Sequence, residues 1–163
     1  MEIVKIKLNG GIMPQKATEG AAAYDLYVPE DVQVQRGRQV VDLKFSLELP
    51  RGYAATIQPR SGFSAKGMEV AFDEDFNLCE EAMTARINSD VVRGLIDEDY
   101  RGSVGVIVNT SEEYTPYGKW ILKKGTRIAQ MQIVKVPQTE LVAVSELSDT
   151  NRGNGGFGST GAR

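Results

Sequence analysis

Four stretches of this 163-residue chain combine residue types that could do chemistry. The first is Pro59-Arg60-Ser61-Gly62-Phe63-Ser64-Ala65-Lys66, which follows a strand-like run. Ser61 is expected to cap a short helix whose free N–H groups would face an anion, with Arg60 and Lys66 adding charge. A capped turn with two solvated cations has the same signature. The second is Gly94-Leu95-Ile96-Asp97-Glu98-Asp99-Tyr100-Arg101-Gly102, three acids in a turn between apolar residues. Asp97 follows Ile96, and a partly desolvated carboxylate there would have a raised pKa and act as a better base. The alternative is a hairpin turn with Asp99 and Arg101 as a surface pair and Tyr100 as packing. The third is the tail Arg152-Gly153-Asn154-Gly155-Gly156-Phe157-Gly158-Ser159-Thr160-Gly161, with five Gly among the nine residues from Gly153. Its N–H groups could cradle an oxyanion, although it lacks the Gly-Lys-Ser/Thr ending of a nucleotide P-loop. A frayed terminus is the commoner fate of such a tail. Yet Arg152, Phe157, Ser159 and Thr160 are what a flap ordering over a charged, flat ligand would use. The fourth, Gly125-Thr126-Arg127-Ile128-Ala129-Gln130-Met131, reads as turn and strand, and Gln130 alone carries little.

Composition narrows the chemistry further. With no His, there is no Ser-His-Asp or Cys-His triad, no His-ligated zinc and no imidazole proton shuttle. One cysteine, Cys79, excludes an internal disulfide framework and a Cys-rich metal site. That usage fits a reducing compartment, so a cytoplasmic home is expected. The net charge of −3 does not attract polyanions as a whole, so an anion site must be a local cluster of cations and backbone N–H groups. No nucleic-acid partner is expected. The longest apolar runs, such as Val104-Gly105-Val106-Ile107-Val108, are too short to span a bilayer, and no apolar signal core opens the chain.

The elements that must position these residues read as short strands. Alternating residues separated by turns suggest strands near 3–8, 32–34, 40–41, 45–49, 53–57, 102–109, 120–122, 127–136 and 139–144. Many short strands at regular spacing point to an antiparallel sandwich or barrel. Residues 68–93 stand apart, holding Asp73, Glu74, Asp75, Glu80 and Glu81 and a helix-prone stretch from Glu81 to Ile87, and read as a surface excursion.

Taken together, the segments resemble one family. Ala21-Ala22-Ala23-Tyr24-Asp25-Leu26, Pro59-Arg60-Ser61-Gly62, the acid-rich turn from Gly94, Gly125-Thr126-Arg127-Ile128-Ala129-Gln130 and the glycine tail are similar, in order, to the five motifs of the trimeric deoxyuridine triphosphate nucleotidohydrolases, the dUTPases. The resemblance implies an all-β, dUTPase-like β-barrel protomer of jelly-roll type in a homotrimer, its sites lying at subunit interfaces. It divides the chain into a body, residues 1–148, with an insertion within about 68–90, and an arm, residues 149–163, closing a neighbouring subunit's site.

The implied reaction is hydrolysis of dUTP to dUMP and pyrophosphate by water attacking the α-phosphorus. Such an activity limits uracil incorporation into DNA and supplies dUMP for dTMP synthesis. By motif position, Asp97 is the general base. Arg60, Ser61 and Gly62 form the phosphate turn, and Gln130 reaches the same phosphates. Mg2+ would be held chiefly by the triphosphate, with Asp25 meeting it through water. Gly94, Leu95, Ile96 and Gly105 would read the uracil edge through the backbone, and Tyr100 would exclude a 2′-hydroxyl. Phe157, beside Gly158, would stack on the base while Arg152, Ser159 and Thr160 close on the terminal phosphates. Three departures from the family pattern are Ala23 for Gly, Val91 for the Asn of many bacterial members, and Arg93 for a small residue or Pro. A neighbouring reading, the related dCTP deaminases, fits the run from Ile96 to Tyr100 and the Phe157 tail less well. A reading of another class makes the acidic 68–90 segment a dock for a protein partner.

Overall fold

Period-two burial builds most of the structure. In β4 (Gly37–Asp42), Val41 turns inward. In β11 (Gly105–Thr110), Val106, Val108 and Thr110 do the same while the residues between them face outward. The computed structural model describes residues 2–73, 84–111 and 119–155. Among these, all strand pairs are antiparallel and fall into four sheets. β1 (Lys5–Leu8) pairs with β5 (Phe45–Glu48). A second sheet runs β10 (Gly94–Ile96), β6 (Tyr53–Gln58), β13 (Arg127–Lys135) and β2 (Tyr24–Tyr27). A third sets β11 between β4 and β9 (Ser89–Val92). The fourth runs β3 (Val32–Gln33), β12 (Lys119–Leu122), β7 (Met68–Asp73) and β8 (Thr84–Ile87). The only helix among the described residues is α1 (Ser61–Lys66).

All four sheets feed one core, in which Leu26, Phe45, Met68, Ile87, Val106, Leu122 and Ile128 are at most 1% exposed. Burying each such side chain stabilises the fold by about 1.5–3 kcal/mol relative to leaving it in water. The architecture is the expected all-β, jelly-roll type, built as sheets packed around a common interior. None of the described sheets closes on itself as a barrel. No helix among the described residues is long and apolar enough to cross a membrane.

The structure corrects two local readings. The helix-prone stretch ending at Ile87 supplies a strand, because Thr84–Ile87 pairs with β7 in the register Met68↔Ile87. Both of those side chains are buried, and their burial outweighs a weak helical preference. The ends of the 68–90 segment are therefore core and not a surface excursion, and its middle, residues 74–83, lies outside the described residues. Residues 139–144 form no strand. The last strand ends at Lys135, and one backbone hydrogen bond, Val136 N to Gly52 O at 2.8 Å, follows it. Beyond that, Leu141 is 97% and Leu147 87% exposed, so apolar residues there pack against nothing in their own chain.

Candidate active site

The second sheet carries the cationic half of the site. Asp25, Gln130 and Gln58 lie side by side across β2, β13 and β6. Directly opposed strand residues share a sheet face, so these three polar side chains form a row. Past Gln58 the chain turns through Pro59 into α1, and Gln130 Nε2 donates to Pro59 O at 3.0 Å. Arg60 Nε donates to Asp25 Oδ1 at 2.8 Å, and Arg127 Nη1 donates to Asp25 Oδ2 at 3.4 Å. A register shift in β13 between Arg127 and Ala129 re-aims Arg127 toward the carboxylate. The Asp25 side chain is only 10% exposed, and a buried carboxylate is tolerable because two guanidiniums meet it.

Ser61 does not cap the helix. Arg60 takes the extended cap conformation (φ −84°, ψ 144°), Ser64 N donates to Arg60 O at 2.9 Å, and Ser61 begins the first turn, exposed. The cavity over this region measures about 590 Å³ and is lined by Arg60, Gly62, Lys66, Arg86, Lys124 and Arg127 among others. Among the described residues that line it Glu69 is the only acid, so the lining suits a polyanion.

A second cavity of about 230 Å³ is lined by Gly94, Leu95, Ile96, Asp97, Tyr100 and Gly105, with Ile57 and Ile107 as walls. β10 is an edge strand, paired with β6 on one side only. An edge presents backbone N–H and C=O groups that can be read by a partner. The turn below is anchored at several points. Tyr100 Oη donates to Ser103 O at 3.0 Å, and a Cβ on Gly102 would meet that Tyr100 hydroxyl, so a side chain at 102 would push the exposed ring aside. The Ser103 hydroxyl donates to Asp42, which also accepts Lys44 N at 2.9 Å. These two bonds hold the Asp42 carboxyl below the usual carboxylate range, Ser103 contributing most. Glu98 Oε2 accepts from Gly52 N at 2.5 Å, and Arg101 turns back onto the carbonyls of Glu98 and Tyr100 instead of onto Asp99.

Asp97 is exposed in the single chain, contrary to the expected desolvation. The alternation explains it: Ile96 takes the inward position at the end of β10, and Asp97 the outward one. Val91 is buried in β9 and does not line the cavity. Among the described residues, the cationic cavity and the cavity that holds Asp97 share no lining residue.

Comparison with known proteins decides the family. The sequence model of the dUTPase family matches residues 9–79 and 82–161. The chain belongs to the dUTPase family. A deoxyuridine 5'-triphosphate nucleotidohydrolase from Hydrogenobaculum sp. (strain Y04AAS1) is 41% identical, covering 99% of this chain and 98% of its own length. That of Paramecium bursaria Chlorella virus 1 is 37% identical over 98% and 96%. In fold, the chain is similar to a Staphylococcus bacteriophage 80alpha dUTPase solved with dUpNHpp, at a TM-score of 0.78, 23% identity and 99% coverage of both chains. The activity that goes with this family is hydrolysis of dUTP.

For a dUTPase, the described part of the arm is modestly organised. Arg152 Nε donates to Gly155 O at 2.8 Å, and Arg152 is exposed. Phe157, Gly158, Ser159 and Thr160 lie outside the described residues. Sequence reasoning missed Arg127, Lys124 and Arg86 in the cationic cavity, and Ile107 in the other. Arg127 had a signal, a cation opening the turn-to-strand motif that also holds Gln130; Arg86 had none. The described residues hold no group of three or more carboxylate or thiol side chains able to bind a metal.

Proposed function

We propose that this dUTPase cleaves dUTP between the α- and β-phosphoryl groups, at sites assembled between the chains of a homotrimer. Water attacks the α-phosphorus, Asp97 takes its proton, the bond to the bridging oxygen breaks, and pyrophosphate leaves with that oxygen. Arg60, Ser61 and Gly62 bind the phosphates. Gln130 positions that turn by holding Pro59, and Asp25 holds the guanidiniums of Arg60 and Arg127 toward the anion. The other acceptor positions of the Asp25 carboxylate are available to a water on the ion. Mg2+, carried by the triphosphate, would neutralise charge on the phosphate oxygens and fix their orientation.

The uracil lies in the smaller cavity against the backbone edge of Gly94, Leu95 and Ile96, with Gly105 opposite and Tyr100 against the deoxyribose. A backbone edge discriminates by hydrogen bonds, so cytosine leaves buried groups unpaired and is rejected strongly. A 5-methyl group is rejected by space alone. The arm supplies Arg152, Phe157, Gly158, Ser159 and Thr160, ordering only when ligand is present.

The observation that carries this reading is the division of one chain into a cationic cavity and a separate cavity bearing the acid and a readable edge. A polyanion half and a base half that share no residue suit a site completed by a second copy. The long exposed segment after Lys135, with Leu141, Val142, Val144 and Leu147 in solvent, supports the same arrangement. Turnover of dUTP, dTTP, dCTP and UTP with and without Mg2+ tests the proposal. Magnesium-dependent release of dUMP and pyrophosphate from dUTP alone is expected; equal turnover of dTTP, or uracil formation from dCTP, would overturn it. A docking role for 68–90 would leave out the buried Met68, Val70, Ala71 and Ile87.

A further inference from the structure

The cationic cavity contains a residue that no dUTPase motif supplies. Its wall includes Arg86, on β8, the strand that pairs with β7 in the segment where the motif resemblance implies an insertion. Gly67 brings that strand close. It ends α1 with φ +77°, and a Cβ there would lie 2.4 Å from Ile87 O, so only glycine lets β8 press against the helix end. Arg86 Nη1 donates to Gly67 O at 3.3 Å, and Arg86 Nη2 donates to Glu69 Oε2 at 2.5 Å. This guanidinium thus lines the same cavity as Arg60, Lys66 and Arg127.

The cations of the cavity are held very differently. Arg60 and Arg127 share the buried Asp25 and cannot leave it without stranding a charge. Arg86 is paired with an exposed acid, the two side chains being 45% and 58% accessible. An exposed pair of that kind is weak and screened by solvent. A phosphoryl group, by contrast, offers a guanidinium two charge-assisted bonds in matching geometry. Exchange of Glu69 for a phosphate is therefore favourable whenever a polyanion enters the cavity.

We propose that Arg86 is a substrate-binding residue that leaves Glu69 to grip the terminal phosphoryl group of the triphosphate, and holds pyrophosphate after cleavage. Glu69 is its positioning residue and competes with the ligand. The inference rests on the reading of this cavity as the phosphate half of the site. It makes the β7–β8 segment part of substrate selection by phosphate number, with Arg86 favouring a nucleoside triphosphate over the monophosphate product.

The test uses the full chain and two ligands, inorganic pyrophosphate and dUMP, each measured by calorimetric binding with Mg2+ and as an inhibitor of dUTP turnover. Losing a charged hydrogen bond corresponds to roughly a tenfold effect or more. Arg86→Ala should weaken pyrophosphate binding and raise KM for dUTP about tenfold, with kcat and dUMP binding within about twofold. Arg86→Lys should recover part of the loss. Glu69→Ala should tighten pyrophosphate binding, and this gain should vanish in the double variant. Unchanged pyrophosphate binding in Arg86→Ala, or equal weakening of pyrophosphate and dUMP, would overturn the role of Arg86. Because calorimetry reads the ligand without turnover, an inactive parent enzyme would count against the proposed reaction and leave the Arg86 result standing by itself.

Discussion

The two halves of the site are built on opposite principles. The phosphate half is locked from within: a buried carboxylate holds two guanidiniums, and a strand glutamine braces the turn that carries one of them. The base half is held from outside, where Asp42, Gly52 and the carbonyls of its own turn pin Ser103, Glu98 and Arg101, leaving Asp97 and the edge of β10 open. On the proposed reading, the difference follows from the ligand each half meets. A polyanion needs fixed charge that does not collapse when the site is empty, whereas a base needs a backbone edge and a carboxylate that a neighbouring chain can complete.

Substitutions on the two sides should separate chemistry from architecture. The largest effect is expected from Asp97→Asn in the base half. It removes the base and keeps the shape, so kcat should fall roughly 10²–10⁴-fold while dUTP binding persists. Normal turnover by that variant would break the assignment. Ending the chain after residue 148 comes next. Turnover should fall at least about tenfold through loss of closure, with the melting temperature nearly unchanged, because residues 149–154 are exposed.

Asp25→Asn, in the phosphate half, is expected to act on stability as well. It leaves two guanidiniums without their carboxylate and should cost about 2 kcal/mol, below the usual 3–5 for a buried pair because Arg127 is half exposed. Thermal unfolding reads it, and a variant as stable as the parent would show that the lock is not what holds this half together.

The smallest effect concerns Asp42. Its carboxyl is depressed in the folded chain, so its stabilisation is present at neutral pH and is lost as pH falls through the lowered value. For a largely exposed group this should be within about 0.5 kcal/mol. Asp42→Asn should narrow the acid-induced loss of stability by that amount, measured as melting temperature against pH from neutral to acid.

How much of this was legible in the sequence depends on how local each signal is. Val106 and Val108 alternate with outward residues, and β11 stands where that pattern puts it. β8 is hidden, because it ends a stretch from Glu81 to Ile87 that reads as helix-prone, and it is seen as a strand only where Ile87 meets Met68. The strand expected at 139–144 has the right residues but pairs with no strand of its own chain, and its apolar side chains stay in solvent. In the site, motif resemblance named Asp97, Arg60 and Gln130. It could not show that Arg60 and Asp25, 35 residues apart, form an ion pair, nor that Arg127 joins from 102 residues away. Such contacts depend on which strands are neighbours, and a single sequence does not state that.

Whether the two halves belong to different chains is tested most directly by mixing two inactive proteins. Asp97→Asn and Arg60→Ala variants, each lacking one half, are unfolded together in equal amounts, refolded and assayed on dUTP. If each site joins the phosphate half of one chain to the base half of another, about one quarter of the sites regain both residues and turnover returns to that level. Turnover no higher than that of the separate variants would place both halves in one chain and contradict the account.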